Sequence, residues 1–189
     1  MKVQKSPHVS LYPCPVVLVT CMDEKGAADI VTLAWVGVAC SDPPILGMGI
    51  RPSRHSYSLI SRTKEFVVNI PTKRILEQTD FCGMISGREV DKFFKTGLTP
   101  VKSSKIGPPM IKECPVNMEC ILRRIVKLGT HHLFLGEIIL VHVDSEILDE
   151  KGDIDYAKAD AVCYVPEEYW SLGKKIGVYG LSKRQDQLS

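Results

Sequence analysis

The chain has 189 residues, 44% hydrophobic and 24% charged, which is enough for one domain with a closed core and too apolar for disorder beyond its ends. Its 24 basic and 22 acidic residues leave a net charge of +2 without a long Lys/Arg block, so composition gives nucleic acid no support as a partner. There is no run of about 18 apolar residues to span a membrane, and Met1 to His8 lack the apolar stretch of a signal peptide, so a cytoplasmic protein is expected.

The first half reads as strands joined by turns. Pro15 to Cys21 is a β-branched run ending at Asp23-Glu24-Lys25-Gly26, an acidic, glycine-terminated hairpin loop, and Ala28 to Trp35 returns antiparallel. Val36 to Cys40 meets a stop at Ser41-Asp42-Pro43-Pro44. Ile45 to Ile50 is a further strand, with Gly47 and Gly49 on one face where another backbone can approach. A helix follows Arg51-Pro52-Ser53-Arg54-His55, with Ser53 as its N-cap. Glu65 to Ile70 is a strand closed by Pro71. A second helix covers Lys73 to Cys82 behind Thr72, and a short helical turn lies near Asp91-Lys92-Phe93-Phe94. Gly97 to Pro109 reads as a loop.

The second half holds the two longest strands. Val116, Met118, Cys120 and Leu122 alternate with Asn117, Glu119, Ile121 and Arg123, which predicts a half-buried strand. Gly129-Thr130-His131 turns the chain into Leu133 to Val143. A polar turn at 149–153, a short strand near Ala161 to Val165 and an aromatic end at Tyr169-Trp170 complete the domain. Many short strands with few helices argue for a mainly β barrel or sandwich with peripheral helices. No G-x-G-x-x-G sits between a strand and a helix, so a dinucleotide-binding parallel fold is unsupported.

Few segments carry chemistry by themselves. Arg51 to Ser56 joins a strand to a helix, and a helix N-terminus with Ser53, Ser56 and Arg54 suits a phosphate; a capped helix with exposed basic residues explains the same residues. Lys92 could add a second positive charge. Thr32-Leu33-Ala34-Trp35 leading to Cys40 and Ser41 could wall a flat pocket, or Trp35 could simply belong to the core. The seven cysteines include no C-x-x-C pair and suit neither zinc nor an iron–sulfur cluster. They read as small buried hydrophobes, with Cys40 or Cys82 as the alternative redox thiol. His131 and His132 are adjacent and point to opposite faces of a strand, so no metal is expected.

Taken in order, these segments resemble the flavin reductase-like family of FMN-binding split barrels, and flavoredoxins within it especially. The likeness spans about residues 10–173 and leaves 174–189 as a tail to a single domain. It rests on Tyr12-Pro13-Cys14-Pro15-Val16, Ser41-Asp42-Pro43-Pro44, Arg51-Pro52-Ser53-Arg54-His55-Ser56, Glu65 to Pro71, Cys82-Gly83, Asp91-Lys92-Phe93, Gly97-Leu98-Thr99-Pro100, Leu133 to Val143 and Tyr169 to Gly173. Departures are Cys14 where the family often has Arg, Cys40 where Ser is common, and Ser56 where Thr is common.

The resemblance implies a six-stranded antiparallel Greek-key split barrel with helices around it, a homodimer holding FMN near the subunit interface. It implies that Thr32, Leu33, Ala34 and Trp35 line the flavin ring, with Cys40 and Ser41 bordering the same pocket. Ser53, Arg54, His55 and Ser56 would hold the phosphate with help from Lys92. Asn69, Cys82 and Gly83 would neighbour the flavin, and Tyr164 would cover its ring. NAD(P)H is the implied hydride donor to the flavin, and no side chain is expected to act as a general acid or base. The alternative is an electron carrier with tightly held FMN and a redox partner protein.

Overall fold

The computed structural model describes residues 1–182; the end of the expected tail, 183–189, lies outside the described residues. The strands are β1 (Cys14–Pro15), β2 (Val17–Met22), β3 (Ala28–Leu33), β4 (Val36–Ser41), β5 (Pro44–Ile50), β6 (Glu65–Ile70), β7 (Pro100–Val101), β8 (Met110–Ile111), β9 (Val116–Lys127), β10 (His132–Val143), β11 (Val162–Val165) and β12 (Glu168–Ser171). The helices are α1 (His55–Thr63), α2 (Leu76–Met84) and α3 (Lys92–Thr96).

Seven strands form one antiparallel sheet in the order β3-β2-β6-β9-β10-β5-β4, one more than the six expected. β3 and β4 are separated in sequence only by Ala34 and Trp35, yet they occupy opposite edges of that sheet. The sheet must therefore curl until its edges nearly meet, which makes a barrel split between β3 and β4. The barrel is filled by alternate side chains of these strands, among them Val19, Met48, Ile50, Phe66, Val68, Cys120 and Phe134. Gly136 is required by this packing, because a Cβ there would stand 2.2 Å from Phe66 Cζ. A second small sheet, β1-β11-β12, is tied to the body by Tyr169 Oη donating to Asp80 Oδ1 of α2 at 2.8 Å.

Local chemistry sets the turns. Asp23 Oδ1 accepts from Lys25 N at 2.9 Å and Ala27 N at 2.8 Å, and Gly26 takes φ +92°, which closes the β2–β3 hairpin where it is expected. Asp91 caps α3 by accepting from Phe94 N at 3.1 Å, and Gly97 ends that helix at φ +69°.

Several expectations are corrected. Arg54, not Ser53, is the N-cap of α1, and it makes no side-chain capping bond. The helix expected from Lys73 to Cys82 is a 3-10 turn over Lys73–Ile75 followed by α2, which runs on to Met84. The Pro-Pro stop is a tight hairpin, with β5 beginning at Pro44 itself, where an edge-side proline costs no ladder bond. Within the expected 97–109 loop, β7 pairs with β8 just beyond it.

β9 is not half-buried. Asn117 and Glu119 are buried along with their apolar neighbours, because the segment around 103–111 packs over the face they occupy. Glu119, fully buried, accepts from Ser104 N at 2.7 Å, Lys105 N at 2.8 Å and His142 Nε2 at 2.6 Å. Burial alone would raise its pKa, but those three donors together hold it below the usual carboxylate range. Asn117 Nδ2 donates to Asn69 Oδ1 at 2.8 Å and to Ile111 O at 3.1 Å. The covering segment thus supplies the partners that buried polar groups require.

Candidate functional site

Two cavities adjoin at the split in the barrel. The aromatic cavity, of about 300 Å³, is lined by Thr32, Leu33, Ala34 and Trp35 where β3 passes to β4, by Gly49 and Arg51 of the β5 end, and by Arg54, His131, Tyr12 and Tyr164. The β3-to-β4 passage lies here because Trp35 must cross the gap; its carbonyl accepts from Gly49 N at 2.8 Å. Trp35 is 40% exposed and its ring lies 4.3 Å from that of His131, centroid to centroid, with the planes tilted by 46°. Arg51 Nε donates to His131 Nε2 at 3.2 Å. Burial first, and then the Arg51 charge, hold the His131 pKa below the ordinary histidine value. The ring is therefore neutral at pH 7, and its Nε2 is an acceptor. Tyr12 and Tyr164, with ring centroids 6.2 Å apart, form a second aromatic pair in the lining.

The cationic cavity, of about 310 Å³, opens from the same corner. Arg51, Ser53, Arg54, His55 and Ser56 bring the first turn of α1 to it, and Ser86, Gly87, Arg88 and Glu89 face it from the turn after α2. Asp29, Val31, Ile85 and Lys92 complete its lining. Four Lys/Arg side chains against two carboxylates make the lining cationic, and α1 adds the positive end of its dipole. Ser56 Oγ is buried with no hydrogen-bond partner among the described residues, so a donor and acceptor waits there for a ligand. Arg88 Nη1 donates to Ser53 O at 2.9 Å, which fixes the turn against the start of α1. Arg51 and Arg54 line both cavities.

Lys92 differs from the expectation of a free second charge. It is only 3% exposed, and its ammonium donates to Ile30 O at 2.5 Å and Cys82 O at 3.0 Å, with Asp29 Oδ1 at 3.4 Å. Its charge is largely spent inside the protein, where it clamps α3 to β3 and α2. It still borders the cavity, but through this buried network.

Of the other expected residues, Thr32, Leu33, Ala34, Trp35 and Tyr164 meet in the aromatic cavity, and Ser53, Arg54, His55 and Ser56 meet in the cationic one. Gly83 backs the first of these, since a Cβ there would stand 3.2 Å from Thr32 Cβ. Cys40 and Ser41 are exposed on β4 and line neither cavity. Asn69 is wholly buried and its amide is used internally: Nδ2 donates to Leu18 O at 2.9 Å and Oδ1 accepts from Ile111 N at 3.1 Å. Cys82 is buried in one cluster with Leu18 and Ile30, and burial pushes its thiol up to about 11, so little of it is thiolate at pH 7. Sequence reasoning missed Tyr12, Arg51 and His131 in the aromatic cavity, and Asp29 and the Ser86–Glu89 turn in the cationic one. Only Arg51, beside the Ser53–Ser56 segment, carried a local signal.

Chemically, the pair of cavities fits a planar aromatic group in one and an anionic, hydrogen-bonding chain in the other. Each is near the lower end of small-molecule sites, about 300 Å³, and neither alone would hold a two-part ligand. Among the described residues no cluster of three His, Cys, Asp or Glu could hold a metal. No helix among the described residues is long and apolar enough to cross a membrane.

Comparison with known proteins gives one family. The model of the flavin reductase like domain matches residues 9–171. A flavoredoxin of Desulfovibrio vulgaris (Miyazaki F) has a similar structure at a TM-score of 0.91, with 31% identity over 97% of this chain and 100% of that one. A flavoredoxin from Methanosarcina acetivorans gives a TM-score of 0.88 with 32% identity, covering 98% of each chain. An uncharacterized protein of Archaeoglobus fulgidus is 39% identical over 77% of this chain and 81% of its own.

Proposed function

This chain belongs to the flavin reductase-like family, and on that premise we propose that it is an FMN-holding oxidoreductase. The observation that carries the reading is the pair Arg51 and Arg54, shared by a cavity with aromatic walls and one built on the N-terminus of α1. A flavin ring fits the first and its phosphate-bearing chain the second. The buried, partnerless Ser56 hydroxyl is an independent sign that the second cavity takes a polar ligand.

Within this reading, Arg54 and Ser53 draw the phosphate to the mouth of α1, Ser56 offers it a hydroxyl, and the free N–H groups of the first helical turn add donors. Thr32 to Trp35, with Tyr164 and Tyr12, orient the ring and limit water around it. Neutral His131, held by Arg51, keeps Trp35 in place. When bound, FMN would supply the redox chemistry, taking a hydride from NADH or NADPH and passing electrons onward. No side chain in either cavity is assigned a proton-transfer step.

The test is the visible spectrum of the purified, FMN-loaded protein before and after NADH or NADPH is added without oxygen. Bleaching is the expected result. A bound flavin that stays oxidised would point instead to an electron carrier fed by a protein, a reading that the likeness to two flavoredoxins favours. A protein that takes up no FMN at all would remove the proposal.

The same reading has the chain working as a homodimer. In support, β4 is an edge strand whose residues Gly37 to Ser41 are exposed, with Val38 at 79%, and an unpaired edge of this kind is ordinarily covered. Light scattering on the purified protein should give twice the chain mass of 21.0 kDa. A monomer at micromolar concentration would sink this part of the reading while leaving the flavin site intact.

A further inference from the structure

Asp29 is the least expected group in the cationic cavity. It is 5% exposed, and neither of its carboxylate oxygens has a hydrogen-bond partner among the described residues. Lys92 Nζ, at 3.4 Å, balances its charge without closing a hydrogen bond, because that ammonium is directed at Ile30 O and Cys82 O. Gly87 leaves room for the carboxylate: a Cβ there would stand 2.1 Å from Asp29 Oδ1. Other charged or titratable groups lining the cavity are Arg51, Arg54 and His55 from the β5–α1 corner and Arg88 and Glu89 from the turn after α2.

A buried carboxylate is costly without donors, and the described residues supply none. We propose that Asp29 is a specificity residue of this cavity, accepting a hydrogen from an O–H group on the side chain of the bound flavin. The proposal rests on the flavin reading above and adds to it the chemical class of group that the deep end selects. A fully ionised phosphate placed against Asp29 would meet a like charge. The O–H donor is therefore either a hydroxyl of the polyol chain or the P–OH of a singly ionised phosphate. The phosphate dianion itself belongs at the Arg51 and Arg54 mouth.

The test is titration of the apoprotein with lumiflavin, riboflavin and FMN between pH 5.5 and 8.5, read by flavin fluorescence. Wild type is compared with Asp29→Asn and with Gly87→Ala, whose methyl displaces the carboxylate without removing its charge. A melting curve for each variant confirms that it is folded. If a polyol hydroxyl is the donor, both variants should bind riboflavin and FMN about tenfold more weakly (about 1.4 kcal/mol) and lumiflavin unchanged.

If the P–OH is the donor, wild-type FMN affinity should fall as pH rises through the second phosphate pKa, about 6. Riboflavin affinity should stay level, and Asp29→Asn should flatten the FMN profile although His55 is still present. Variants indistinguishable from wild type toward all three ligands, or altered equally toward lumiflavin, would overturn the proposal while FMN binding stands. Failure of the wild-type protein to bind any flavin would overturn both.

Discussion

Replacing Lys92 with methionine should destabilise the fold by roughly 3–5 kcal/mol, the usual cost of removing one partner from a buried ion pair. Methionine can fill the space of the stem but supplies no donor. The change would leave the Asp29 carboxylate unpaired at 5% exposure and strip Ile30 O and Cys82 O of the ammonium that they share. For a chain of this length each kcal/mol lowers the melting temperature by roughly 2–4 °C, so a fall of roughly 6–20 °C is expected in a thermal melt. The double variant with Asp29→Asn should recover part of the loss, since no buried charge then stands alone. A single-variant loss under about 1 kcal/mol would mean that water reaches this pair in solution, and that Lys92 is free to act as a cavity cation after all.

Arg54→Ala should weaken FMN binding about 10- to 100-fold, the worth of one charge-assisted hydrogen bond of about 1.5–3 kcal/mol. Arg54 lines both cavities, and its guanidinium has no hydrogen-bond or ion-pair partner among the described residues. Its removal should therefore leave the melting temperature of the apoprotein nearly unchanged. Riboflavin, which lacks the phosphate, should lose far less affinity than FMN in the same titration. Raising salt should narrow the gap between wild type and variant, because an exposed cation is screened within about 10 Å at 0.1 M ionic strength. Equal losses for riboflavin and FMN would place Arg54 against the ring or the polyol chain, not the phosphate.

These two residues also mark how far the candidate site was legible. Arg54 stands in a strand-to-helix segment whose residue types suit an anion site as well as a plain capped helix, because the free N–H groups of a helix start are a local property. Lys92 was recognisable as a neighbour of the site only through family resemblance, and the use of its charge depends on Asp29, 63 positions away in sequence and brought beside it by the docking of α3 on β3. Asp29 itself is the second residue of β3 and looks like an ordinary turn-proximal acid. Trp35 and His131 meet across 96 positions, and nothing near either one signals the other.

By itself the sequence determined the mainly β character, the Asp23–Gly26 hairpin, the Asp91 cap and Gly97 stop of α3, and the Arg51–Ser56 segment, all features written by residues within a few positions of one another. Tertiary structure alone decided that Asn117 and Glu119 are buried, that the amide of Asn69 is consumed in the core, and that Cys40 and Ser41 lie outside both cavities. It also decided that the charge of Lys92 is already spent. The physical reason is common to all of these: an alternating pattern tells which residues share a face of a strand, but whether that face meets water, a covering loop or a buried counter-charge depends on what distant chain packs against it.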